Sequence, residues 1–377
     1  MRIGFDGKRA VQNFTGLGNY SRYVADILCH FYPENDYVLY APKKRENKRM
    51  NLLTGQYRQL TLAYPATSFW KKLSSLWRVW GITSQLEKEG IELFHGLSNE
   101  LPLNIHKSRI KSIVTIHDLI FLRYPQYYQS IDRKIYTYKF RKACENADKI
   151  IAISECTKRD IIRYFNIPDD KIEVVYQGCD VSFTHPVTEA KKEEVRKKYQ
   201  LPDHYILNVG SIEERKNILA AVQALPMLPQ HIHIVIVGRR TGYTEKVEQF
   251  IKDNGLGERV HIISNVPFND LPAFYQSAEI FVYPSRFEGF GIPIIEALYS
   301  GIPVVAATGS CLEEAGGPDS IYVNPDDITG LADAFKQIYS NSDKRKNMVE
   351  KGREFAKRFS EKQQSEEIIN IYKKLIR

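Results

Sequence analysis

The amino-acid sequence predicts two doubly wound α/β domains. Short apolar runs rich in β-branched residues alternate with longer amphipathic stretches, the pattern of parallel strands and crossover helices. The length of 377 residues is that of two domains. The alternation lapses in a polar stretch over residues 182–199 and restarts at Tyr205. These observations place a domain boundary near residues 180–187, with a doubly wound domain on each side.

The first domain is predicted to span residues 1–182. Its strand candidates are apolar runs of buried type, and its helix candidates repeat apolar residues at helical spacing. Strands are expected at residues 3–6, 37–40, 92–95, 112–117, 149–153 and 172–176, and helices at 19–31, 70–88, 132–146 and 155–165. Each strand with its helix has about the size of one crossover unit, so the sheet should be parallel.

The second domain is predicted to span residues 183–358, followed by a separate helix. Its strands are expected at residues 205–210, 233–238, 260–263, 280–283, 303–306 and 320–323. The segment 359–377 carries apolar residues at helical spacing after Ser360, which can cap a helix. It should form an amphipathic helix that packs on another part of the chain.

The charge balance indicates an anionic partner. Lys and Arg number 53 against 45 Asp and Glu, a net charge of +8, and the first 180 residues hold 28 of the basic and 19 of the acidic residues. Nucleic acid, acidic lipid and phosphorylated metabolites all fit such a surplus. The basic half contains no compact nucleic-acid-binding motif, so nucleic acid is not the expected partner.

The cysteines and the apolar stretches bear on location. Five cysteines are scattered without Cys-x-x-Cys spacing, which indicates buried thiols in a reducing compartment rather than disulfides or a zinc site. The first apolar stretch is too short for a signal peptide, and no stretch approaches the roughly 20 apolar residues of a membrane span. The sequence therefore predicts a cytoplasmic protein, soluble or peripheral at the inner face of the membrane.

A glycine loop at residues 286–298 (RFEGFGIPIIEAL) follows a predicted strand and opens a helix. Amides in such a loop, here those of Phe290, Gly291 and Ile292, can bind an anion with support from the helix dipole. Glu288 and Glu296 would accept hydrogen bonds from hydroxyls. A ligand with hydroxyls on both sides of a diphosphate is a nucleotide sugar. A tight turn with one capping and one solvated glutamate fits the spacing equally well.

Residues 209–217 (VGSIEERKN) also follow a strand and start a helix. Lys216, with Arg215, suits a diphosphate that gains negative charge as it leaves. A solvated cationic pair is the alternative, but the helix dipole disfavours cations at a helix start, so the ligand interpretation is preferred.

Two features of the first domain lie at predicted carboxyl ends of strands, where ligands bind. The segment 15–20 (TGLGNY) places Gly16 and Gly18 between the first strand and the first helix, without the third glycine and acidic residue of a dinucleotide site. His117 ends another strand. Taken alone, a strand-end histidine is more often structural.

Together these residues resemble the retaining glycosyltransferases of family 4. That family has the GT-B architecture, two facing Rossmann-like domains with a C-terminal helix crossing back to the first. Its hallmark is two glutamates separated by seven residues, matched by Glu288 and Glu296. Further matches over most of the chain are residues 16–20, 115–118, 154, 157, 215–217 and 301–305. The resemblance implies that residues 1–182 bind the acceptor, 183–358 bind the donor and 359–377 pack on the first domain.

The resemblance also implies roles for the residues of the second domain. Lys216 would bind the donor diphosphate, Glu296 the ribose hydroxyls and Glu288 the transferred sugar. The amides of residues 290–292 would contact sugar and phosphate. Ser211 stands where many relatives have arginine, which leaves Arg215 as the candidate for a second cation.

In the first domain, the resemblance implies that His117 lies against the sugar. Gly16 and Gly18 would let the N-terminal loop approach the phosphate and the acceptor. The predicted catalytic residues are therefore His117, Glu288 and Lys216.

The reaction implied is transfer of a hexose, with retention, from a nucleotide diphosphate sugar to a hydroxyl of a glycan or lipid-linked acceptor in surface polysaccharide or glycolipid synthesis. The chain has no Asp-x-Asp motif, so cations and helix N-termini are expected to replace a metal. No cofactor is expected. A segment ending in Glu-x-Arg-Lys-Asn, here 213–217, is typical of mannosyltransferases in this family, which favours GDP-mannose as the donor.

Other functions of the same fold are a nucleotide-sugar 2-epimerase, a phosphorylase and a non-catalytic sugar-nucleotide-binding protein. No motif indicates the pyridoxal phosphate lysine of a phosphorylase. Residues 68–80 combine three Trp with three cations, and a basic loop lies at 43–49. An anionic membrane surface and a core-packed helix with a solvated loop are equally open for these segments.

Overall fold

The computed structural model describes residues 1–13 and 16–376, which divide into two compact units. The first unit consists of Met1–Gln177 with Glu361–Arg377, and the second is Gly178–Ser360. The predicted boundaries were 182/183 and 358/359. The short stretch after Gln177 joins the second unit because the buried ring of Phe183 packs edge-on against Phe268 and Tyr275.

The first unit contains a parallel sheet in which seven strands are described, ordered β3-β2-β1-β4-β5-β6-β7. Its strands are nearly continuous buried runs, as expected for a sheet covered on both faces. They are β1 Arg2–Asp6, β2 Asp36–Tyr40, β3 Leu60–Ala63, β4 Leu93–Gly96, β5 Lys111–Ile116, β6 Lys149–Ala152 and β7 Ile172–Val174. The edge strand β3 was not predicted from the sequence.

The helices of the described first unit up to residue 177 include three short ones that were not predicted, at residues 8–12, 48–56 and 120–123. The helices are α1 Lys8–Gln12, α2 Gly16–Phe31, α3 Lys48–Gln56, α4 Ser68–Lys72, α5 Ser74–Leu76, α6 Ile82–Lys88, α7 Ile120–Arg123, α8 Ser130–Asn146 and α9 Glu155–Phe165. Gly16 and Gly18 form the first turn of α2 rather than a loop before it, and Thr15 lies outside the described residues. The helix predicted at 70–88 is interrupted, with a π-helical turn at Trp77–Gly81.

The second unit contains a parallel sheet in which six strands are described, ordered β10-β9-β8-β11-β12-β13. The strands are β8 Tyr205–Val209, β9 His233–Val237, β10 Val260–Ile263, β11 Ile280–Tyr283, β12 Val304–Ala307 and β13 Ile321–Val323. The helices are α10 Glu189–Tyr199, α11 Ile218–Ala224, α12 Tyr243–Asp253, α13 Leu271–Ser277, α14 Ile292–Ser300, α15 Leu312–Gly316, α16 Ile328–Tyr339 and α17 Ser342–Ala356.

The last helix, α18 Glu361–Ile376, belongs to the first unit, where it packs along α2. Its apolar face joins the core of that unit through Ile368, Ile369 and Tyr372. The amphipathic pattern of the sequence predicted such a helix, and burial of this face explains why it forms.

Two further observations concern the cysteines and the hydrophobic segments. All five cysteines are buried, as expected from their scattered positions. Within the part of the chain that is described, no helix is both long and apolar enough to cross a membrane.

Candidate functional site

The two loops predicted to bind phosphate lie side by side in the second unit. Strands β8 and β11 are neighbours in the parallel sheet, so the loops after their carboxyl ends come together. The Arg286 amide donates to the Arg215 carbonyl oxygen over 2.9 Å, which joins the two loops directly. Residues 71 positions apart in sequence thus form one site at the edge where α/β sheets bind ligands.

Glu288 lies between the two predicted cations. Its Oε2 is 2.9 Å from Nη1 of Arg215, and its Oε1 is 3.6 Å from Nζ of Lys216. Arg215 also donates to the carbonyl oxygen of Phe287. The three charged side chains are between 13% and 18% exposed, so they interact in a partly desolvated setting. Glu213 Oε2 also lies 3.7 Å from Nη2 of Arg215, so the two cations face one enclosed carboxylate and a second, more exposed one.

Two hydroxyl groups that the sequence analysis missed hold the carboxylate in place. Ser285 Oγ donates to Glu288 Oε1 over 2.9 Å, and Tyr283 Oη lies 3.1 Å from the same oxygen. Tyr283 Oη also accepts from Lys216 Nζ over 3.1 Å. Tyr283 is the last residue of β11, and this place at the carboxyl edge of the sheet is the sequence signal that could have identified it.

Attraction between Glu288 and the cations Arg215 and Lys216 keeps these side chains ionised. Burial raises the pKa of Glu288, but the charges of Lys216 and Arg215, with hydrogen bonds from Arg215 and Ser285, outweigh burial and lower the pKa to about 2. Burial lowers the pKa of Lys216, and the charge of Glu288 more than restores it, so that pKa lies above its ordinary value. At neutral pH the site therefore presents charges rather than proton donors or acceptors.

Two residues near Lys216 have special backbone conformations: Asn217, which is left-handed, and Gly210, which lies close to the lysine side chain. Asn217 has φ +55° and donates through Nδ2 to the carbonyl oxygens of Pro284 and Pro325. Gly210 has φ +153°, and a Cβ there would lie 3.0 Å from Lys216 Nζ. These restraints give the lysine side chain a defined direction along the end of β8.

Ser211, which was also predicted to contact the donor, has a hydrogen-bond partner in its own loop. Ser211 Oγ donates to Glu213 Oε1 over 2.5 Å. The hydroxyl thus binds within its own loop, and Arg215 is the second cation beside Glu288.

Phe290, Gly291 and Ile292 lead into the first turn of α14. Phe290 is buried, and Gly291 has φ +151°, a conformation that L side chains rarely adopt. Cys311 Sγ lies 2.8 Å from the Phe290 carbonyl oxygen and supports the loop from inside. In the first turn of α14 the Ile294 amide donates to the Gly291 carbonyl oxygen over 2.9 Å, and Pro293 has no N–H. An anion at this helix start would therefore use the Ile292 amide and those of the loop before it.

Glu296 occupies a different environment from Glu288. It lies in the second turn of α14, where its Oε2 accepts a 2.6 Å hydrogen bond from Tyr275 Oη. Burial is the main cause that raises the pKa of Glu296 to about 7; the Tyr275 hydrogen bond opposes this shift and the Asp180 charge adds to it. The two glutamates of the predicted pair are therefore shifted in opposite directions, and only Glu288 joins the cationic cluster.

In the first unit His117 follows β5 and is enclosed by its neighbours. Its Nε2 lies 2.9 Å from the Leu97 carbonyl oxygen, so Nε2 carries the proton, and Nδ1 faces Gln177 Nε2 at 3.2 Å. Its amide donates to Asn99 Oδ1 over 2.7 Å. The Tyr20 ring packs edge-on at 4.6 Å.

The ionisation of His117 follows from this burial. Desolvation lowers the pKa of His117 to about 4, and the hydrogen bond to Leu97 only partly opposes it. The imidazole is neutral at pH 7 with both nitrogens occupied, an arrangement that suits contact with a ligand better than proton transfer.

Gly16 and Gly18 of the first unit differ in the space around them. A Cβ at Gly18 would lie 2.0 Å from the Asn13 carbonyl oxygen, whereas Gly16 has open space around it. Gly18 is therefore required by close backbone packing between α2 and the preceding segment.

The segment 68–80 is neither wholly buried nor wholly exposed. Trp77 is fully buried, whereas Phe69 is 61% and Trp80 48% exposed. Trp77 therefore packs in the core, which is one of the two interpretations of this segment. Phe69 and Trp80 leave an apolar part of the same segment at the surface.

No group of three or more His, Cys, Asp or Glu side chains within residues 1–13 and 16–376 is arranged to hold a metal ion. The absence of a metal requirement stays a prediction.

Comparison with known families decides the identity of the fold and the chemistry. Residues 191–355 match the family described as glycosyl transferases group 1, and residues 21–183 match glycosyltransferase family 4. The O-antigen chain mannosyltransferase B of Escherichia coli is 31% identical over 289 residues, 75% of this chain and 74% of that protein. The chain belongs to glycosyltransferase family 4. It is a glycosyltransferase, as predicted from the spacing of its two glutamates and the matches around them.

A second curated relative and two solved structures are also similar to this chain. The O-antigen chain mannosyltransferase RfbU of Salmonella typhimurium is 29% identical over 225 residues, 60% of each chain. A glycosyltransferase from Rickettsia africae has the same fold, with a TM-score of 0.79 at 20% identity over 100% of this chain and 98% of that one. HepE of Anabaena, solved with UDP and glucose, has a TM-score of 0.77 at 17% identity over both full chains. The predicted GT-B fold is confirmed.

Proposed function

We propose that this glycosyltransferase binds a nucleotide diphosphate sugar in its second unit and transfers the hexose with retention and without a metal. The observation that carries the proposal is the partly buried cluster of Arg215, Lys216 and Glu288. Its two cations lie beside the loop that leads into α14, and the N-terminal end of that helix favours an anion.

The proposed roles follow the chemistry of each group. Lys216 binds the diphosphate and stabilises the negative charge that develops on it as the sugar departs. Arg215 supplies the second cation, held in place by Glu288. The amides of Phe290, Gly291 and Ile292 bind phosphate and sugar oxygens. Because Glu288 stays ionised, it accepts hydrogen bonds from sugar hydroxyls, and Glu296 does the same for the ribose.

Retention results either from two successive inversions or from attack on the face from which the phosphate leaves, and we propose the second route. We propose that the departing phosphate takes the proton of the acceptor hydroxyl, because the neighbouring carboxylate has a pKa near 2 and is a weak base. His117 is neutral at pH 7, so a sugar contact by this side chain would use hydrogen bonding and packing rather than charge. The anomeric configuration of the first product, read by NMR before mutarotation, tests this; an inverted product would refute it.

GDP-mannose is the proposed donor, and a glycan or lipid-linked acceptor in surface polysaccharide synthesis is the proposed acceptor. The support is the resemblance of residues 213–217 to mannosyltransferases, together with two O-antigen mannosyltransferases among the relatives. A thermal-shift panel of GDP-mannose, UDP-glucose and UDP-galactose tests the donor, since a ligand that binds the folded state raises Tm. A rise with a uridine nucleotide alone would refute GDP-mannose.

Incubation of the protein with donor alone separates the remaining functions of this fold. A 2-epimerase isomerises the sugar without an acceptor, whereas the proposed transferase leaves it unchanged or slowly hydrolyses it. Turnover that is unaltered by EDTA is the expected result for a metal-independent reaction. A non-catalytic binding protein would give a thermal shift without any turnover.

A further inference from the structure

A chain of four buried polar side chains runs through the core of the first unit. The hydroxyl of Tyr372 lies 2.6 Å from Nδ1 of His95, and Nε2 of His95 lies 2.8 Å from Oγ1 of Thr115. The same Thr115 oxygen lies 3.2 Å from the hydroxyl of Tyr20. None of the four side chains is more than 7% exposed. Three consecutive hydrogen bonds therefore join α18 through β4 and β5 to α2.

This chain lies among apolar residues. Tyr20 and Tyr372 belong to the same core as Phe5, Leu93 and Ile113. Most side-chain hydrogen bonds in proteins are made to the backbone or to water, so three consecutive bonds between side chains are unusual in a core. Burial of polar groups costs free energy that apolar side chains would not cost, whereas a fully bonded network fixes its members in one arrangement. Such a network indicates a part of the core whose geometry matters.

One end of the chain lies against His117. The Tyr20 ring packs edge-on against this imidazole, with centroids 4.6 Å apart and an angle of 90° between the planes. The bonds to Leu97 and Gln177 direct the two ring nitrogens of His117. The Tyr20 ring restrains the plane of the imidazole, and the bond to Thr115 in turn holds the Tyr20 ring at its hydroxyl end.

His95 connects the two halves of the chain. Burial, with the nearby His117 as a lesser cause, lowers the pKa of His95 to about 3, so the ring is neutral at pH 7. In a neutral imidazole one nitrogen donates and the other accepts, so the bonds to Tyr372 and Thr115 depend on each other. Loss of the Tyr372 hydroxyl removes the partner of Nδ1 and alters the balance of tautomers, which changes the bond to Thr115.

We propose that four side chains act as positioning residues for His117: Tyr20, His95, Thr115 and Tyr372. Because they are buried, they act through the imidazole rather than by touching the substrate. Helix α18 thus contributes to sugar transfer as well as to the apolar core. This inference rests on the proposed sugar contact of His117, and it adds the residues that set the orientation of that contact.

Three substitutions of nearly equal shape each interrupt the chain at one place: Tyr372→Phe, Thr115→Val and Tyr20→Phe. A misplacement of about 1 Å can lower turnover about a hundredfold. Since His117 keeps its bonds to Leu97 and Gln177, we expect each variant to lower kcat roughly tenfold. The affinity for GDP, measured by calorimetry, should be unchanged because the proposed diphosphate site in the second unit is untouched.

The double variant Tyr372→Phe with Tyr20→Phe tests whether the chain acts as a unit. Independent effects would multiply, to about a hundredfold loss of kcat, whereas a chain that is already interrupted should lose about as much as with either single change.

Tyr37→Phe is the matched control. Tyr37 is fully buried in the same core, and its hydroxyl donates to the carbonyl oxygens of Leu28 and Tyr32, at 3.1 and 3.0 Å. The control loses buried hydrogen bonds without interrupting the chain, so it should lower Tm and leave kcat unchanged.

Nuclear magnetic resonance gives a readout that does not depend on turnover. In ¹H–¹⁵N spectra of the imidazoles, the His117 resonances should shift in Tyr372→Phe and stay in place in Tyr37→Phe. A merely structural role of Tyr372 would lower Tm without moving the His117 resonances.

Three outcomes would overturn the proposal. The first is wild-type kcat and unshifted His117 resonances in the chain variants. The second is an equal loss of kcat in Tyr37→Phe, which would assign the effect to general destabilisation. The third is a double variant whose loss is the product of the single losses. Shifted His117 resonances at wild-type turnover would refute the sugar contact of His117, and with it the role of α18 in transfer.

Discussion

Replacing Lys216 with alanine removes one of the two cations beside Glu288. Nζ of Lys216 lies 3.6 Å from Glu288 Oε1, and its side chain is 18% exposed. A cation about 4 Å from a phosphate oxygen contributes about 4 kcal/mol at an effective dielectric constant of about 20. Water entering the vacated space and the remaining Arg215 charge recover part of this. We expect a net loss of about 2 kcal/mol in transition-state stabilisation, roughly thirtyfold in kcat/KM, with kcat at least tenfold lower.

The fold should survive this change. Glu288 keeps its contacts with Arg215, Ser285 and Tyr283, so no carboxylate is left buried and unpaired. The matched control is Lys198→Ala in the same unit, which removes a lysine 2.8 Å from the carboxylate of Asp270. Asp270 retains other partners, so turnover of this control should equal that of the wild type.

The assay is release of nucleoside diphosphate at saturating donor and acceptor, with the circular dichroism spectrum as the check on folding. Wild-type turnover in Lys216→Ala would refute the assignment of the diphosphate to this lysine. An equal loss in Lys198→Ala would show that general electrostatics, rather than the local site, is responsible.

Three further changes test other parts of the structure. Because the pKa of Glu296 is raised from 4.5 to about 7, unfolding free energy should fall by up to about 3 kcal/mol as pH rises from 4.5 to 7, and this slope should be smaller in Glu296→Gln, measured by urea unfolding. Gly18→Ala places a Cβ 2.0 Å from a backbone oxygen and should cost about 2 kcal/mol or more, whereas Gly16→Ala meets open space and should leave Tm unchanged or raised. Tyr372→Phe removes the hydroxyl 2.6 Å from Nδ1 of buried His95 and should cost about 1 to 2 kcal/mol in the same assay; unchanged stability would show that this bond contributes nothing.

Proton binding at Glu296 explains why a rise in pH should destabilise the fold. Between pH 4.5 and 7 the unfolded chain has released the proton that the folded protein still holds, so raising the pH favours unfolding. Above pH 7 both states are ionised and the dependence ends. A stability that rises over this interval would refute the shifted pKa. If the ionised carboxylate binds the ribose, donor affinity should increase over the same interval.

Much of the fold follows from local patterns in the sequence. Buried parallel strands are continuous apolar runs, and this is why β10 and β11 begin and end at the predicted residues. The glycine loop before α14 is also local, because a tight turn and a helix start need particular residues at particular places. The short edge strand β3, with half of its residues partly exposed, lacks such a pattern and was missed.

The candidate site shows what local sequence patterns do not predict. The sequence by itself determined which loops carry the cations and glutamates, since each follows an identifiable strand. Only the tertiary structure decided that Arg215 and Lys216 meet Glu288, because strand order brings together loops that are 71 residues apart. It also placed Tyr275 against Glu296 and Gln177 against His117, contacts across long sequence separations that periodicity cannot encode.

Helix α8 illustrates the same division. The sequence determined that residues near 132–146 form a helix, because spacing and propensity act over a few residues. Which of its two apolar faces is buried depends on what packs against it. The structure placed Phe140 and Ala143 inside and left Ile131 at the surface, because neighbouring elements of the first unit cover only one side. Periodicity identifies an apolar face, whereas only tertiary packing decides whether that face is covered.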